Sequence, residues 1–344
     1  SIRAAFSAQT SAKNMQDLLE SELGKLRKNL LGAPPGRQTV LFIDDINMPA
    51  LEKYGAQPHI ELVRQSLAQN GFYDLKKLSF KKISNTSFIA ACGPPGGRRN
   101  AMTARLVRHS RLLWVPELSD KAMKAIFVSI LEGFLNTGKF DESCVALGSP
   151  VVQATLEAYN AMRLEMLPTP SKPHYTFNLR DVSRVVQGML HITKPKCPDG
   201  DSLLKLWCHE SSRVFSDRLI NKEDRAWSFA IQKKLFAGNA SGHDWSEDEI
   251  AGIIYSSYSN TSQGVAGAKY KVMTLQPSAA KFDEYLMDYN LNTTKPMNLV
   301  FFTDCCLHLA RLSRIITQPR GCGLLVGVGG SGRQSLARLS ASMW

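Results

Sequence analysis

Two short stretches carry residue types that could do chemistry on phosphates. In "LLVGVGGSGRQS", residues 324–335, Gly327 and Gly332 keep the spacing of G-x-x-x-x-G-K-[ST]. In that pattern backbone N–H groups wrap a phosphate, the lysine reaches the outer phosphates and the hydroxyl holds magnesium. Gly329, Gly330 and Ser331 fill the turn between the two glycines, but Arg333 stands at the lysine position and Gln334 at the hydroxyl position. Arginine still pairs with phosphate, through a planar fork rather than a point charge. Ser335 comes one residue late, which on a helix swings its hydroxyl by about 100°. The loop is therefore expected to bind the phosphates of ATP or ADP while holding Mg2+ weakly or not at all. The plainer alternative is a glycine-rich turn.

The second stretch is "TVLFIDD", residues 39–45, a short apolar run ending in two acids. It has the form of a buried strand that carries Asp44 to a metal ion and places Asp45 where a glutamate usually polarises the attacking water. Asp45 is one methylene shorter than glutamate, so hydrolysis is expected to be slowed or absent. The alternative is a strand that ends in a solvated acidic turn. Within one phosphate-loop domain the glycine loop precedes the acidic strand, yet here Asp44 comes first by most of the chain. The two stretches are expected to belong to separate, consecutive modules, the chain starting after the phosphate loop of the first and ending just inside the next.

Elements that could position these groups follow from periodicity. Met15, Leu18, Leu19, Leu23, Leu26 and Leu30 predict a helix over residues 12–31 with Ser11 as N-cap. After the acidic strand come a helix near 58–70, a second buried strand "SFIAAC" and the rigid turn "GPPGGRRN". Alternating helix and apolar strand indicates an α/β layer with a parallel sheet. From Ser119 the pattern turns helical, with Met123, Ile126, Phe127, Ile130, Leu131 and Phe134 on one face and further helices near 150–167, 179–191 and 202–220. "AGNASGHDWSEDE" is the best boundary candidate. Beyond it lie a poorly patterned region, the helix "NLVFFTDCCLHLARLSRII" and a strand "CGLLVGV" leading into the glycine loop.

Composition narrows the class. At 344 residues and 44% apolar content the chain can hold about two or three cored domains. No run approaches the roughly 18 apolar residues of a membrane span, and the first residues offer no apolar signal core, so an intracellular home is expected. Seven cysteines without a C-x-x-C pair argue against a disulfide framework or a structural zinc site. A formal charge of +12 suggests an acidic partner, whether nucleotide, nucleic acid or protein. The densest basic cluster, "KKLSFKK" at residues 76–82, reads as a solvated hairpin.

"TVLFIDDINMPALEKYGAQPHIELVRQ", "FIAACGPPGGRRN", "RLVRHSRLLWV" and "GVGGSGRQSLARL" together resemble the dynein heavy chain, the ring-forming AAA+ motor of microtubules, and are closer to its axonemal than its cytoplasmic members. The resemblance covers nearly the whole chain. It implies an α/β AAA+ P-loop NTPase core, a parallel sheet flanked by helices, followed by an all-helical lid subdomain. It places residues 1–118 in the large subdomain of the third AAA+ module, 119–242 in its lid and 243–344 at the start of the fourth module. Asp44 and Asp45 become the acidic pair of the third module, Asp44 the metal ligand. Gly93 falls where more active relatives carry a sensor asparagine, although a flexible start to the Pro-Pro turn would explain it equally. Arg105 or Arg108 becomes an arginine finger for a neighbouring module, Arg105 slightly favoured, unless each is an ordinary surface ion-pair residue. Arg180 becomes the lid arginine that reaches its own module's phosphates; without the resemblance, a surface pair with Asp181 is the better reading.

The implied function is a nucleotide-binding regulatory part of an axonemal motor ring, which gates motion powered elsewhere. Its partners are neighbouring AAA+ modules and, through the parent chain, microtubules and other dynein subunits, with no nucleic acid and no membrane. The implied location is cytoplasm, cytoskeleton and the axoneme of a cilium or flagellum. The alternatives are a nucleic-acid-associated AAA+ ATPase, motivated by charge, and a structural spacer with empty nucleotide sites.

Overall fold

The computed structural model describes the chain except residues 98, 240–245, 247–251, 259–269, 274 and 320. It divides into two compact units, Ser1–Pro116 and Glu117–Trp344.

The first unit is built on β4 (Thr39–Asp44), flanked in parallel by β1 (Ile2–Ala5) and β7 (Thr86–Ala90). Alternate β4 residues Leu41 and Ile43 are fully buried, and helices α1 (Ala12–Glu22) and α2 (Pro58–Gln69) contribute Met15, Leu19, Ile60 and Val63 to the same core. The expected parallel layer is present, with two corrections. The helix predicted over 12–31 stops at Glu22; β2 (Lys25–Arg27) and β3 (Leu30–Gly32) follow as an antiparallel pair. Leu26 and Leu30 keep helical spacing, but a glycine at position 24, the poorest helix former after proline, separates them from the helix. β3 then joins β6 (Phe80–Ser84), whose other neighbour is β5 (Gly71–Tyr73). The second correction concerns "SFIAAC". Its strand is β7, which pairs only with β4 among the described residues, leaving Ile89 exposed rather than buried.

The basic segment 76–82 lies at the β5–β6 turn, as expected of a hairpin, but one lysine is not solvated. Lys81 is held by Asp74 at 2.7 Å and Glu20 at 2.9 Å. Two backbone amides add to Lys81, and together they hold the Asp74 carboxyl well below the usual carboxylate range. A short helix, α3 (Ala104–Val107), completes the unit.

In the second unit no strand occurs between residues 117 and 239. Ser119 caps α4 (Asp120–Thr137), which buries Met123, Phe127, Leu131 and Leu135. α5 (Glu142–Ala146), α6 (Gly148–Glu165), α7 (Leu179–Met189), α8 (Gly200–Ser211) and α9 (Lys222–Asn239) follow. The core centres on Trp207, whose indole N–H donates to Thr155 at 2.8 Å. The boundary segment 237–249 lies mostly outside the described residues.

Beyond it, β8 (Ile254–Ser256) and β9 (Lys271–Met273) pair antiparallel, followed by α10 (Leu275–Asn292), α11 (Thr303–Thr317) and α12 (Arg333–Ser342). Sequence periodicity foresaw neither the β8–β9 pair nor α10. The expected strand "CGLLVGV" is not formed. Leu324, Val326 and Val328 are exposed, and without a neighbouring strand among the described residues an apolar run has no ladder to join.

The helical core and the segment after residue 253 share buried groups. Tyr255 and Tyr270 belong to the helical core. The α8 residue Glu210, fully buried, receives the α11 residue Arg314 through Nε at 3.1 and 3.2 Å, and through Nη2. Tyr270 donates its hydroxyl to the same carboxylate. Gly188 on α7 makes room, since a Cβ there would lie 1.8 Å from Glu210 Oε2. Burial pushes the Glu210 carboxyl up, but the Arg314 charge outweighs it and holds the group ionised. No described helix is long and apolar enough to cross a membrane.

Candidate functional site

The acidic end of β4 is formed by a strand that runs out of partners. Asp44 is the last residue in register with β1, opposite Ala5, and its carbonyl still accepts Phe6 N–H at 3.0 Å. Its carboxylate turns outward to Arg3 at 3.1 Å, a pair 37% and 74% exposed. Asp45 then takes a left-handed backbone with φ 53°. That conformation is sparsely populated by side-chain-bearing residues and stores strain at functional turns. Its carboxylate meets Arg99 Nη2 at 3.2 Å.

The turn after β7 is fastened to this strand end by two asparagines. Asn47, buried, donates its amide to the carbonyls of Gly93 at 2.9 Å and Asn100 at 3.0 Å. Asn100 N–H donates back to the Asn47 carbonyl at 2.9 Å, and its side chain to Pro49 O at 2.6 Å. The Asn47 Oδ1 is buried without a hydrogen-bond partner. Gly93 therefore sits beside the acidic pair, and Arg99 packs over it. Sequence reasoning had Asp44, Asp45 and Gly93 but missed Arg3, Asn47, Arg99 and Asn100. The signal present in the sequence was the asparagine in each of the two turns, "DDIN" and "GGRRN".

Arg105 lies within the short α3 and Arg108 is its C-cap, and both are exposed. Arg105 stands 3.9 Å from Glu61, a long and weak contact, and Arg108 Nε lies 3.2 Å from the His109 ring nitrogen. Neither is drawn to Asp44 or Asp45 by any hydrogen bond or ion pair among the described residues.

The glycine loop opens α12 in the second unit. Gly330 (φ 77°) and Gly332 (φ 72°) are left-handed, and Gly332 is the N-cap of the helix. A Cβ on Gly329, Gly330 or Gly332 would meet nothing within 4 Å, so the backbone there is open to an approaching group. Leu336 and Leu339 are buried and anchor the helix behind it. Arg333 folds back to donate to the Val328 carbonyl at 3.0 Å, closing the loop on itself; its side chain also passes near Gly327. Gln334 is exposed and Ser335 half-buried. Left-handed glycines at the start of a ten-residue helix fit a phosphate. The magnesium accessory fits less well, with an amide at the hydroxyl position. Among the described residues no three His, Cys, Asp or Glu side chains gather as a ligand set.

Arg180 lies in the first turn of α7, behind the capping box of Asn178 and Asp181, with an exposed side chain. The surface pair with Asp181 does not form. Asp181 is buried and taken by Arg218 at 2.7 Å and Arg184 at 3.3 Å. Arg180 makes no side-chain hydrogen bond or ion pair among the described residues. The acidic strand end and the glycine loop fall in different compact units.

A parallel sheet with an acid-tipped central strand, a helical domain after it and then a glycine loop opening a helix define the AAA class of P-loop proteins. Comparison with known proteins carries this to a family. Residues 1–118 match the P-loop containing dynein motor region, 134–225 the dynein heavy chain ATPase lid domain, and 297–344 the P-loop containing dynein motor region D4. Dynein axonemal heavy chain 6 of Homo sapiens is 43% identical over 340 residues, covering 98% of this chain. Dynein axonemal heavy chain 1 of Mus musculus is 42% identical over 353 residues, and dynein axonemal heavy chain 12 of Rattus norvegicus 41% over 355, each again covering 98% of the chain. The chain belongs to the dynein heavy-chain family. It spans 8% of the length of the first two relatives and 11% of the third.

Proposed function

We propose that this segment is a nucleotide-binding regulatory part of the motor ring of an axonemal dynein heavy chain. Residues 1–118 are the large subdomain of a third module, 119–242 its lid and 243–344 the start of the fourth. The parent heavy chain is then an ATP-driven microtubule motor in the axoneme of a cilium or flagellum, and its neighbouring modules are this segment's first partners. The three matched regions, in this order along the chain, support the division.

The observation that carries nucleotide binding is the left-handed Gly332 opening α12 with free space around it. Backbone amides of the loop bind the phosphates of ATP or ADP, and Arg333 exchanges the Val328 carbonyl for a phosphate oxygen. Mg2+ is held weakly, because Gln334 supplies no hydroxyl. Arg180 reaches the phosphates of its own module, and Arg105, more than Arg108, serves a neighbour's site. Nucleotide then stabilises one arrangement of core against lid, and differential affinity sets how far the ring shifts.

Calorimetric titration of the heavy chain with ADP, compared with a Gly332→Asp variant, tests the reading. Asp at that position is strained and puts a carboxylate where phosphate should sit. The expected result is the loss of one binding event. Identical titrations would leave the loop a spacer.

The nucleic-acid alternative finds no support. Its basic cluster is the tip of a hairpin, and Lys81 is committed to Asp74 and Glu20.

A further inference from the structure

The third-module site contains a cation that no part of the functional reading uses. Arg99 extends across Gly93 to Asp45, and a Cβ on Gly93 would lie 2.7 Å from both Arg99 Cδ and Nε. The absence of a side chain at 93 is thus what allows the guanidinium to reach the acid. Arg99 Nε is itself buried without a partner, while Nη2 makes the contact to Asp45. The fastening of this turn to the strand end through Asn47 and Asn100 fixes where the arginine starts from.

We propose that Arg99 is a positioning residue that latches Asp45, so that the site retains nucleotide triphosphate rather than cleaving it. The inference rests on the nucleotide reading above. For hydrolysis, the Asp45 carboxylate would accept a proton from the attacking water while the bond between the terminal phosphorus and the bridging oxygen breaks. The electron pair leaves with ADP. With one carboxylate oxygen held by the guanidinium, Asp45 is fixed in orientation and is not free to turn to the attacking water. Gly93 and Arg99 act together: a side chain at 93 displaces the arginine and frees the acid.

Two measurements decide the matter. The first is the ratio of bound triphosphate to diphosphate retained by the heavy chain after desalting, compared between parent, Arg99→Met and Arg99→Lys. Sites elsewhere add the same background to all three and cancel in the difference between proteins. Arg99→Met is expected to lower the triphosphate retained at this site by about tenfold, less than the roughly 10²–10⁴-fold of a proton acceptor itself because the arginine only positions that acceptor, with Arg99→Lys restoring much of it. Unchanged ratios with nucleotide still bound would overturn the latch.

The second measurement needs no nucleotide: the melting temperature of the 344-residue chain carrying Gly93→Ala, Arg99→Met or both. Gly93→Ala alone is expected to lower it by about 2–4 °C by displacing Arg99, and by much less once Arg99 is methionine. Equal losses with and without Arg99 would overturn the packing on which the latch depends. If no protein retains nucleotide in the first experiment, the nucleotide reading fails, and with it the latch's function, even where the melting cycle shows the arginine in place.

Discussion

The molecule pairs arginine with carboxylate in two opposite ways. At the acidic end of β4, Asp44 and Asp45 meet Arg3 and Arg99 in half-exposed contacts of 3.1 and 3.2 Å. In the second unit, Glu210 and Arg314 meet inside the protein, with the carboxylate fully buried and Tyr270 completing its shell. Water competes at the first site and is excluded from the second. An exposed pair is worth about 0–1 kcal/mol, and the more exposed of the two, Arg3–Asp44, can trade partners with an arriving metal. A buried pair cannot trade, because either partner left alone keeps an uncompensated charge in the interior. The first arrangement suits a site that must respond; the second ties the helical core to α11.

The sharpest way to break this contrast is Arg314→Ala. It should destabilise the chain by about 3–5 kcal/mol in urea melts, whereas a loss below 1 kcal/mol would show that water reaches Glu210. Replacing both partners, Glu210→Leu with Arg314→Met, should recover most of that loss, since no lone charge remains.

Gly188→Ala follows in size. The new methyl collides with the Glu210 carboxylate, whose position is fixed by Arg314 and Tyr270, and the expected cost is about 1–3 kcal/mol. A neutral result would mean that the carboxylate can move aside.

The pH dependence comes next. Burial pushes His209, beside Glu210 in the chain, down to about 3, with the Arg213 charge acting in the same direction. The unfolded chain takes up this proton near pH 6.5 and the folded chain does not, so stability falls as pH drops through that value towards 3. From pH 7 to pH 5.5 the expected loss is about 1 kcal/mol, and His209→Gln should flatten that part of the profile.

Arg3→Ala should have the smallest effect, within about 0.5 kcal/mol, and the remaining shift should vanish in 1 M salt because the pair is exposed. A larger or salt-insensitive loss would place Asp44 in the buried class and weaken its assignment as a metal ligand.

Local pattern carried much of the fold. The apolar face of α4 recurs at helical spacing because it packs one side on a core, and the change of pattern at Ser119 marked its start; the structure shows Ser119 capping α4 and Asn178 capping α7 with side chains that accept backbone N–H groups. β4 was legible because a continuous apolar run bounded by acids has few other solutions. The same reasoning misread residues 23–31, where Leu26 and Leu30 fit a helix as well as a strand pair, and it passed over β8 and β9, each only three residues long.

At the candidate sites the sequence supplied residue types and order: acids at a strand end, glycines at a helix start, and the separation that puts them in different units. These follow from covalent spacing, which every conformation of the chain shares. Only the tertiary structure decided which cation meets which acid. Glu210 and Arg314 lie 104 residues apart and Arg99 and Asp45 lie 54 apart, distances over which no local periodicity speaks. Burial decided the rest, because the same two charges are exchangeable in water and locked in the interior, and burial is a property of the fold as a whole.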